Sequence, residues 1–450
     1  MGKKETMTLV VCKITRARFL FAIICFIFFH IGLTAQAWAF LDYMKRVSHN
    51  TGSTGRGCTS IAIGDDPSNM NFNPAVISEI KSNAFDAHLL LVTTDLNVKY
   101  TGIGNETFAS KNKDRIGGIP SFSYSHNNKN SPWSWGIGLA VPDGFYTDYT
   151  IKSKYYGSVN AFSEIMHLRI APTVAYQLTT KLSIGVRAGI DYGSLDLRTP
   201  LGIAFFDIGL CDSFGFSGAI GLLYKPLKNL SFGLYYENTM MQDMKTRNAD
   251  GYISVMTSDG ETPFSNLYVK VKDFQFPQHC GFGVAFRPSP SWRLSADIKY
   301  INWEKNWDEL ELEFIGAPGL PDSLKIPLST DDQIPISIGV EYFFNDIYTF
   351  SIGYHFCDDV MSNDYLNPII ATEVQQIFTC GFSVMPAETA KFGVAFMYGV
   401  MDDSNSSDHG YDQYIEEQLG LSPGALDSEL NDAETDYTCY ILEFSLTMYW

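Results

Sequence analysis

Strict two-residue alternation, repeated along most of the chain, is the feature that most restricts how this sequence can fold. In residues 292–300 the even positions are apolar and most odd positions are polar, which places the two sets on opposite faces of a β-strand. A second alternating run, 282–286, precedes it, and the two prolines within 287–291 allow a tight turn between them. The pattern predicts a β-hairpin within residues 276–303.

The same alternation recurs in fourteen segments, an even number. The segments are 84–93, 118–127, 132–141, 164–178, 181–196, 213–224, 230–238, 274–287, 291–303, 333–345, 347–357, 374–385, 389–400 and 436–450. Their connections are alternately tight and long, the long ones including 142–163, 239–273, 304–332 and 401–435. Barrels of the bacterial outer membrane have tight turns at one end and long loops at the other, whereas a soluble sandwich has no reason to sort its loops in this way.

The faces of these segments favour a closed sheet in lipid. In residues 181–192 an unbroken apolar face opposes one that carries Arg187 and Asp191. In the hydrocarbon core every backbone N–H must be paired within the protein, and strands achieve this only when the sheet closes. We therefore predict an all-β fold, a transmembrane antiparallel up-and-down β-barrel of 14 strands over residues 84–450. Its last strand ends on Trp450, which resembles the C-terminal aromatic signal that such barrels present to the barrel assembly machinery.

The N-terminus predicts export. Three basic residues precede the apolar run 19–33, and Ala37-Trp38-Ala39 matches a cleavage site of small residues, so we interpret residues 1–39 as a secretory signal peptide. An uncleaved anchor is the alternative, but this run of 15 residues is shorter than the roughly 20 that a spanning helix needs. A signal peptide before a barrel indicates the outer membrane of a Gram-negative cell.

Residues 40–83 do not alternate and need a place of their own. They contain four glycines within 52–64, an Asp-Asp-Pro turn, and Asn73-Pro74 before a short predicted helix at 75–81. A 14-stranded barrel is too wide for wall side chains alone to fill. We expect residues 40–83 to form a plug, or hatch, inside the barrel.

Charge and motifs exclude several functions. Removing residues 1–39 takes away five Lys/Arg and one Asp/Glu and changes the net charge from −18 to −22, which disfavours a nucleic-acid partner. The sequence has no HExxH or GxSxG motif, and residues 215–219 lack the final glycine of the latter. We expect no enzymatic activity, no cofactor and no metal site.

The long loops are acidic, above all residues 402–436. A solvated surface explains this composition. Binding of divalent cations that bridge to anionic lipopolysaccharide is the sharper hypothesis, because carboxylate oxygens suit such cations, although no fixed ligand spacing is present.

Several motifs resemble one family of outer-membrane proteins, the FadL/TodX type that transports long-chain fatty acids and aromatic hydrocarbons. The matching motifs are Gly55-Arg56-Gly57-Cys58, Gly64-Asp65-Asp66, the hatch motif Asn73-Pro74-Ala75, and Trp292-x-Leu294-x-x-Asp297. Cys58 departs from the small residue common there, and the loops match no ligand-contacting residue. The resemblance implies a monomeric 14-stranded barrel with an N-terminal hatch. It also implies passive uptake of hydrophobic small molecules, with sideways release through a gap made by a kinked strand.

Two further sets of residues are candidates under this resemblance. A kink needs a glycine or proline that interrupts the strand ladder, and Gly136, Gly138 and Pro142 in the third strand supply them, although these glycines could equally pack under a bulky plug. Inward-facing charges could bind a ligand carboxylate or form ion pairs that anchor the plug, and the cost of an unpaired buried charge favours anchoring. The charged candidates are Arg187, Arg293, Lys299 and Asp297.

Two functions remain. The leading hypothesis is a passive outer-membrane transporter of hydrophobic molecules such as long-chain fatty acids or aromatic hydrocarbons, in contact with membrane lipid and lipopolysaccharide. The alternative is a non-transporting structural or adhesin-type barrel whose acidic loops bind a partner. A transporter should have an apolar pocket above residues 70–80, whereas a structural barrel should fill that space.

Overall fold

Fourteen antiparallel strands close into a barrel in the computed structural model of this chain. The structure describes residues 43–113, 115–128, 130–361, 369, 374–401, 404–405, 410–429 and 433–450. The barrel strands are β1 Ala84–Thr101, β2 Gly117–Asn127, β3 Trp133–Ser153, β4 Gly157–Thr179, β5 Leu182–Leu201, β6 Ala204–Leu227, β7 Leu230–Met241, β8 His279–Ser289, β9 Trp292–Ile301, β10 Ile336–Phe343, β11 Tyr348–Phe356, β12 Gln376–Ala387, β13 Ala390–Val400 and β14 Glu434–Tyr449. Each strand pairs with the next, and β14 pairs with β1 from Ala84 opposite Tyr449 to Lys99 opposite Glu434. The predicted number and order of strands are confirmed.

Several strands run further than the sequence suggested. β3 and β4 continue through residues 142–163, where we expected a long loop, and only residues 154–156 join them. That prediction was wrong because residues 141–149 are buried without interruption, so the alternation that marks a strand with one wet or lipid face is lost there. β5 and β6 are similarly extended and are joined by Gly202 and Ile203 alone.

Shorter elements complete the described chain. The additional strands are Thr107–Lys111, Met244–Thr246, Gly251–Thr257, Gly260–Lys272, Glu309–Ile315, Ser323–Pro327 and Ser404–Asn405. The α-helices are Thr51–Gly55, Glu304–Trp307 and Gly410–Leu419, and the 3-10 helices are Pro67–Asn71, Pro74–Glu79 and Ile103–Asn105. The predicted signal peptide and parts of the acidic stretch 402–436 lie outside the described residues.

A continuous apolar band covers the outside of the barrel. On β5, Val186 is 56% exposed and Ile190 57%. The residue after each of them, Arg187 and Asp191, points inward and is almost completely buried. Residues 182 and 184 are half-buried on the same outward face. Among the described residues, no helix is long and apolar enough to cross a membrane.

Residues 43–83, hereafter the plug, pack against the inward-facing side of the barrel strands. Three side chains start its short helices by accepting backbone N–H bonds: Asn50 from Ser53 at 2.6 Å, Asp66 from Ser68 at 3.0 Å and Asn73 from Ala75 at 3.0 Å. The helix predicted after Asn73-Pro74 is therefore present as the 3-10 helix Pro74–Glu79. Because the barrel's tight turns mark the periplasmic end, the plug occupies the lumen from that end towards the middle.

Candidate functional site

The hatch motif fastens the plug to the wall. The Asn73 side chain, besides capping its helix, donates to the carbonyl of Ile61 at 2.8 Å and to the carbonyl of Leu222 on β6 at 2.9 Å. Ala75, two residues on, is fully buried. One amide thus joins two parts of the plug and one barrel strand, so the motif has a structural basis beyond its helix.

Wall glycines give the plug backbone room to approach. A Cβ at Gly353 would overlap the backbone nitrogen of Gly57, and one at Gly339 would overlap the carbonyl of Arg56. A Cβ at Gly185 would overlap the backbone of the hatch motif at Ala75. Further wall glycines that abut the plug are Gly221, Gly233, Gly283, Gly381 and Gly393. The plug is therefore seated against glycines on most strands from β5 to β13, and at Gly185, Gly339 and Gly353 it meets them through its backbone.

The charged residues predicted from the sequence all meet the plug. Arg187 donates to the carbonyls of Met70, at 2.8 Å, and Asn71. Asp297 accepts the backbone N–H groups of Ser60 at 2.7 Å and Ile61 at 3.0 Å. The structure brings these wall charges to plug backbone, as the anchoring hypothesis requires.

The other two predicted charges also contact the plug. Arg293 forms ion pairs with Glu341 on β10 and with Asp65 of the plug, and Arg56 lies 3.5 Å from the same Asp65 carboxylate. Burial disfavours the charged form of Asp65, but Arg56 and Arg293 outweigh it and hold the pKa of Asp65 well below its usual range. The Lys299 ammonium lies 4.9 Å from the ring centre of Phe72.

A second ionic cluster lies on β3, β4, β5 and β7, and the sequence analysis identified only two of its members, Arg187 and Asp191. His167 is 2.6 Å from Asp143 and 2.7 Å from Asp191. Arg169 pairs with Asp191 at 2.6 Å and with Glu237, which also pairs with Arg187. The two-residue alternation along β4 and β7 could have predicted that His167, Arg169 and Glu237 point into the barrel. Because every charge in this cluster has an opposite partner, none is left for a ligand.

An apolar chamber lies beyond this cluster, towards the extracellular end. Its aromatic contacts include Tyr43 edge-on to Trp303, with ring centres 5.1 Å apart, and Phe274 edge-on to Trp307 at 5.1 Å. A cavity of about 10 Å³ remains, lined by Ser163, Ile165, Leu195, Leu197, Phe274, Trp307, Leu310 and Leu328. The lining is apolar, as a transporter requires, but this volume is about that of one water. The expected open pocket is therefore closed by side chains in this conformation.

The wall itself is interrupted near Pro142. β2 and β3 pair from Asn127 opposite Ser134 to Phe122 opposite Leu139, and within the described residues no pair continues beyond this point. On the other side, the β3–β4 register shifts between Ala140 and Asp143. Proline has no N–H to donate to the ladder, which explains an irregularity at this position.

The two candidate glycines lie elsewhere in the same strand. Gly136 and Gly138 pair regularly with both β2 and β4. Their Cβ positions face the plug, 3.1 Å and 3.3 Å from side-chain atoms of Met70. Of the three kink candidates, only Pro142 lies at the interruption, and the glycines make room for the plug.

The first residues of the plug occupy the interruption. The N–H of Gly144 donates to the carbonyl of Met44 at 2.8 Å, and Lys45 lies opposite Asp143 as an antiparallel bridge. The Lys45 ammonium also pairs with the Asp143 carboxylate at 2.8 Å, and both side chains are buried. Residues 43–46 thus replace the missing β2 neighbour of β3 and separate the chamber from the membrane.

Comparisons with known proteins agree with this architecture. The long-chain fatty acid transport protein of Salmonella typhi is 21% identical over 400 residues, covering 82% of this chain and 89% of that protein. The corresponding Escherichia coli K12 protein is 21% identical over 411 residues, covering 82% and 90%.

Solved structures share the fold. The Pseudomonas putida toluene transporter TodX superposes with a TM-score of 0.72 at 21% identity, covering 91% of this chain and all of that chain. The Ralstonia pickettii toluene transporter TbuX gives 0.66 at 18% identity, covering 90% and 99%. The family profile described as outer membrane protein transport protein (OMPP1/FadL/TodX) matches residues 33–425. This chain therefore belongs to the OMPP1/FadL/TodX family of outer-membrane proteins.

Proposed function

We propose that this protein is a passive channel that takes up hydrophobic molecules and releases them sideways into the outer membrane between β2 and β3. The observation that carries the proposal is that the apolar side chains of the chamber pack in one continuous cluster with Tyr43, Met44 and Val141, beside the wall interruption at Pro142. Residues 43–46 lie in the gap. A solute that is stable among apolar side chains is also stable in hydrocarbon, so the step needs no energy source.

The lining favours uncharged substrates. Seven of the eight side chains around the cavity are apolar, and the eighth is Ser163. The nearby buried cations Lys45 and Arg169 are each paired with carboxylates. A fatty acid carboxylate would have to break one of these pairs, whereas an aromatic hydrocarbon would not. Uncharged aromatic hydrocarbons, which the names of the similar toluene transporters indicate, are therefore a better fit to this chamber than long-chain fatty acids.

The closed chamber is the observation that favours the alternative, a non-transporting barrel. A tightly packed chamber, whose cavity beside Phe274 and Trp307 has space for about one water, is what a structural barrel would show. The transport proposal therefore requires that chamber side chains or residues 43–46 move when substrate enters.

The remaining proposals concern export and surroundings. We infer that residues 1–39 are removed on secretion, that the terminal Trp450 is read by the barrel assembly machinery, and that the barrel is a monomer. The apolar band contacts membrane lipid, and the acidic extracellular loops lie at the level of lipopolysaccharide.

Uptake by cells with and without the protein tests the function. We expect the protein to accelerate entry of labelled toluene more than entry of labelled oleate. Equal uptake rates with and without the protein, for both solutes, would support the alternative of a non-transporting barrel. Acceleration of oleate alone would overturn the proposed preference for uncharged substrates while preserving transport.

A further inference from the structure

Three buried polar groups from the plug and the wall meet near the seam where the barrel closes. Asp66 belongs to the plug, and Asp86 and His88 point inward from β1, next to β14. One ligand atom from each lies within 4.8 Å of the other two. The three residues are only 3%, 0% and 1% exposed.

The atoms that His88 and Asp86 direct towards one another lack hydrogen-bond partners. Both ring nitrogens of His88 and the Oδ2 atom of Asp86 form no hydrogen bond among the described residues. His88 Nε2 is in contact with Asp86 Oδ2 and lies 4.0 Å from Asp66 Oδ1. Buried polar atoms without a partner are costly, and such atoms converging on one point indicate a missing ligand.

Hydrogen bonds from neighbouring hydroxyl and backbone groups hold both carboxylates in place. Thr447 of β14 donates to Asp86 Oδ1 at 2.6 Å. Ser68 donates its N–H and its hydroxyl to Asp66 Oδ1, at 3.0 Å and 2.7 Å. Such secondary bonds orient carboxylates in metal sites.

The negative charge of the Asp66 and Asp86 carboxylates also favours binding of a cation. Among the described residues, neither Asp66 nor Asp86 pairs with a lysine or arginine, and His88 is the basic group within 4 Å of them. Glu443 lies 4.0 Å from His88 Nδ1, but it is already bound by Arg46 at 3.3 Å and by Thr54. Two buried carboxylates that share one imidazole as their basic neighbour are unfavourable unless a further cation compensates their charge.

We propose that Asp66, Asp86 and His88 bind a divalent transition-metal ion, with Zn²⁺ the best match. One imidazole and two carboxylates form a mixed nitrogen and oxygen set that suits Zn²⁺, whereas Ca²⁺ and Mg²⁺ select oxygen ligands alone. The ion links the plug directly to β1. The sequence shows no compact ligand motif for this site, because Asp66 lies in the plug whereas Asp86 and His88 lie on β1.

Metal content of the purified protein tests the proposal. Untagged protein in detergent is stripped with a chelator, dialysed against Zn²⁺ and analysed for bound metal. We expect one tightly held Zn²⁺ per chain, and its loss in His88→Ala and in the nearly isosteric Asp66→Asn. His355→Ala is the matched control, since His355 is equally buried on β11 and already has Ser337 Oγ at 2.7 Å.

A second measurement separates the site from a folding effect. Heat-shifted electrophoresis shows whether each variant still forms the barrel, and limited proteolysis shows whether Zn²⁺ protects the plug. Retention of one Zn²⁺ in Asp66→Asn and His88→Ala, or no bound Zn²⁺ in the folded unaltered protein, would overturn the proposal. The latter result would instead make the cluster an internal contact between the plug and β1.

Discussion

The backbone N–H of Arg46 donates a hydrogen bond of 2.9 Å to the carbonyl of Pro142. This bond joins the start of the plug to the strand residue at which the wall ladder is interrupted. Together with the Gly144 to Met44 bond it makes Lys45 and Asp143 a non-hydrogen-bonded antiparallel pair, whose Cβ atoms are close in such pairs. The proposed side exit is therefore closed by a segment held through a few bonds.

A disulfide between positions 45 and 143 should lock this exit. The Lys45→Cys, Asp143→Cys double variant places two thiols in a pair with geometry suited to a disulfide. We expect oxidised protein to take up toluene at about the rate of cells lacking it, and reduction to restore uptake, because residues 43–46 must leave the gap. Rapid uptake by the fully oxidised form would exclude this exit. The Lys45→Cys single variant controls for loss of the ion pair.

Adding a side chain at a plug seat should displace the plug. Gly353→Val forces a Cβ into the Gly57 backbone, where no flexible side chain can yield. We expect faster proteolysis of the plug in a barrel that still forms, with a cost of about 1–3 kcal/mol from overpacking. Gly218→Val is the matched control, because Gly218 faces outward with nothing within 4 Å of its Cβ. Equal plug protection in both variants would contradict the proposed seating.

Loss of the Asn73 amide should loosen the plug without unfolding the barrel. Asn73→Ala removes a helix cap, worth about 0.5–2 kcal/mol, and two bonds to buried carbonyls. Uptake should change while the heat resistance of the barrel stays. Ser78→Ala is a control in the same helix, since Ser78 bonds only the plug carbonyl of Ala75. Failure of Asn73→Ala to assemble would assign the motif to folding.

Neutralising a buried carboxylate that two arginines share should lower the free energy of unfolding far more than neutralising an exposed carboxylate. Glu237→Gln leaves Arg169 and Arg187 buried without their common partner, and we expect unfolding free energy to fall by about 3–5 kcal/mol. Glu434→Gln breaks the exposed pair with Lys99 and should cost about 0–1 kcal/mol. Urea unfolding in the same detergent compares the two. Similar losses would mean that the internal cluster is not energetically coupled.

The contact between Asp65 and its arginines should resist acid. Because the folded pKa of Asp65 is depressed, its stabilising contribution is complete above the unfolded pKa of about 3.9 and is lost as the pH falls through the lower folded value. We expect the plug to stay protected from pepsin at about pH 4 and to become sensitive only below it. Asp65→Asn should abolish that acid transition. Loss of protection near pH 6 in the unaltered protein would contradict the assignment.

Local pattern made the strands predictable. Alternation identified β9 and β14 almost to the residue, because a wall strand between lipid and lumen has two different faces along its whole length. The same rule failed for residues 142–163, because residues 141–149 are buried without interruption and show no alternation. Asn73-Pro74 predicted its helix because capping depends on neighbours in the chain.

By itself, the sequence determined the barrel, the fourteen strands, the separate plug and the inward charges, since each depends on residue type at a fixed short spacing. The tertiary structure alone decided which charges meet, which glycines seat the plug, that Pro142 rather than Gly136 or Gly138 marks the interruption, and that residues 43–46 fill it. These contacts join residues that are distant along the chain. Their distances are fixed only when the sheet closes around the plug, so no local pattern encodes them.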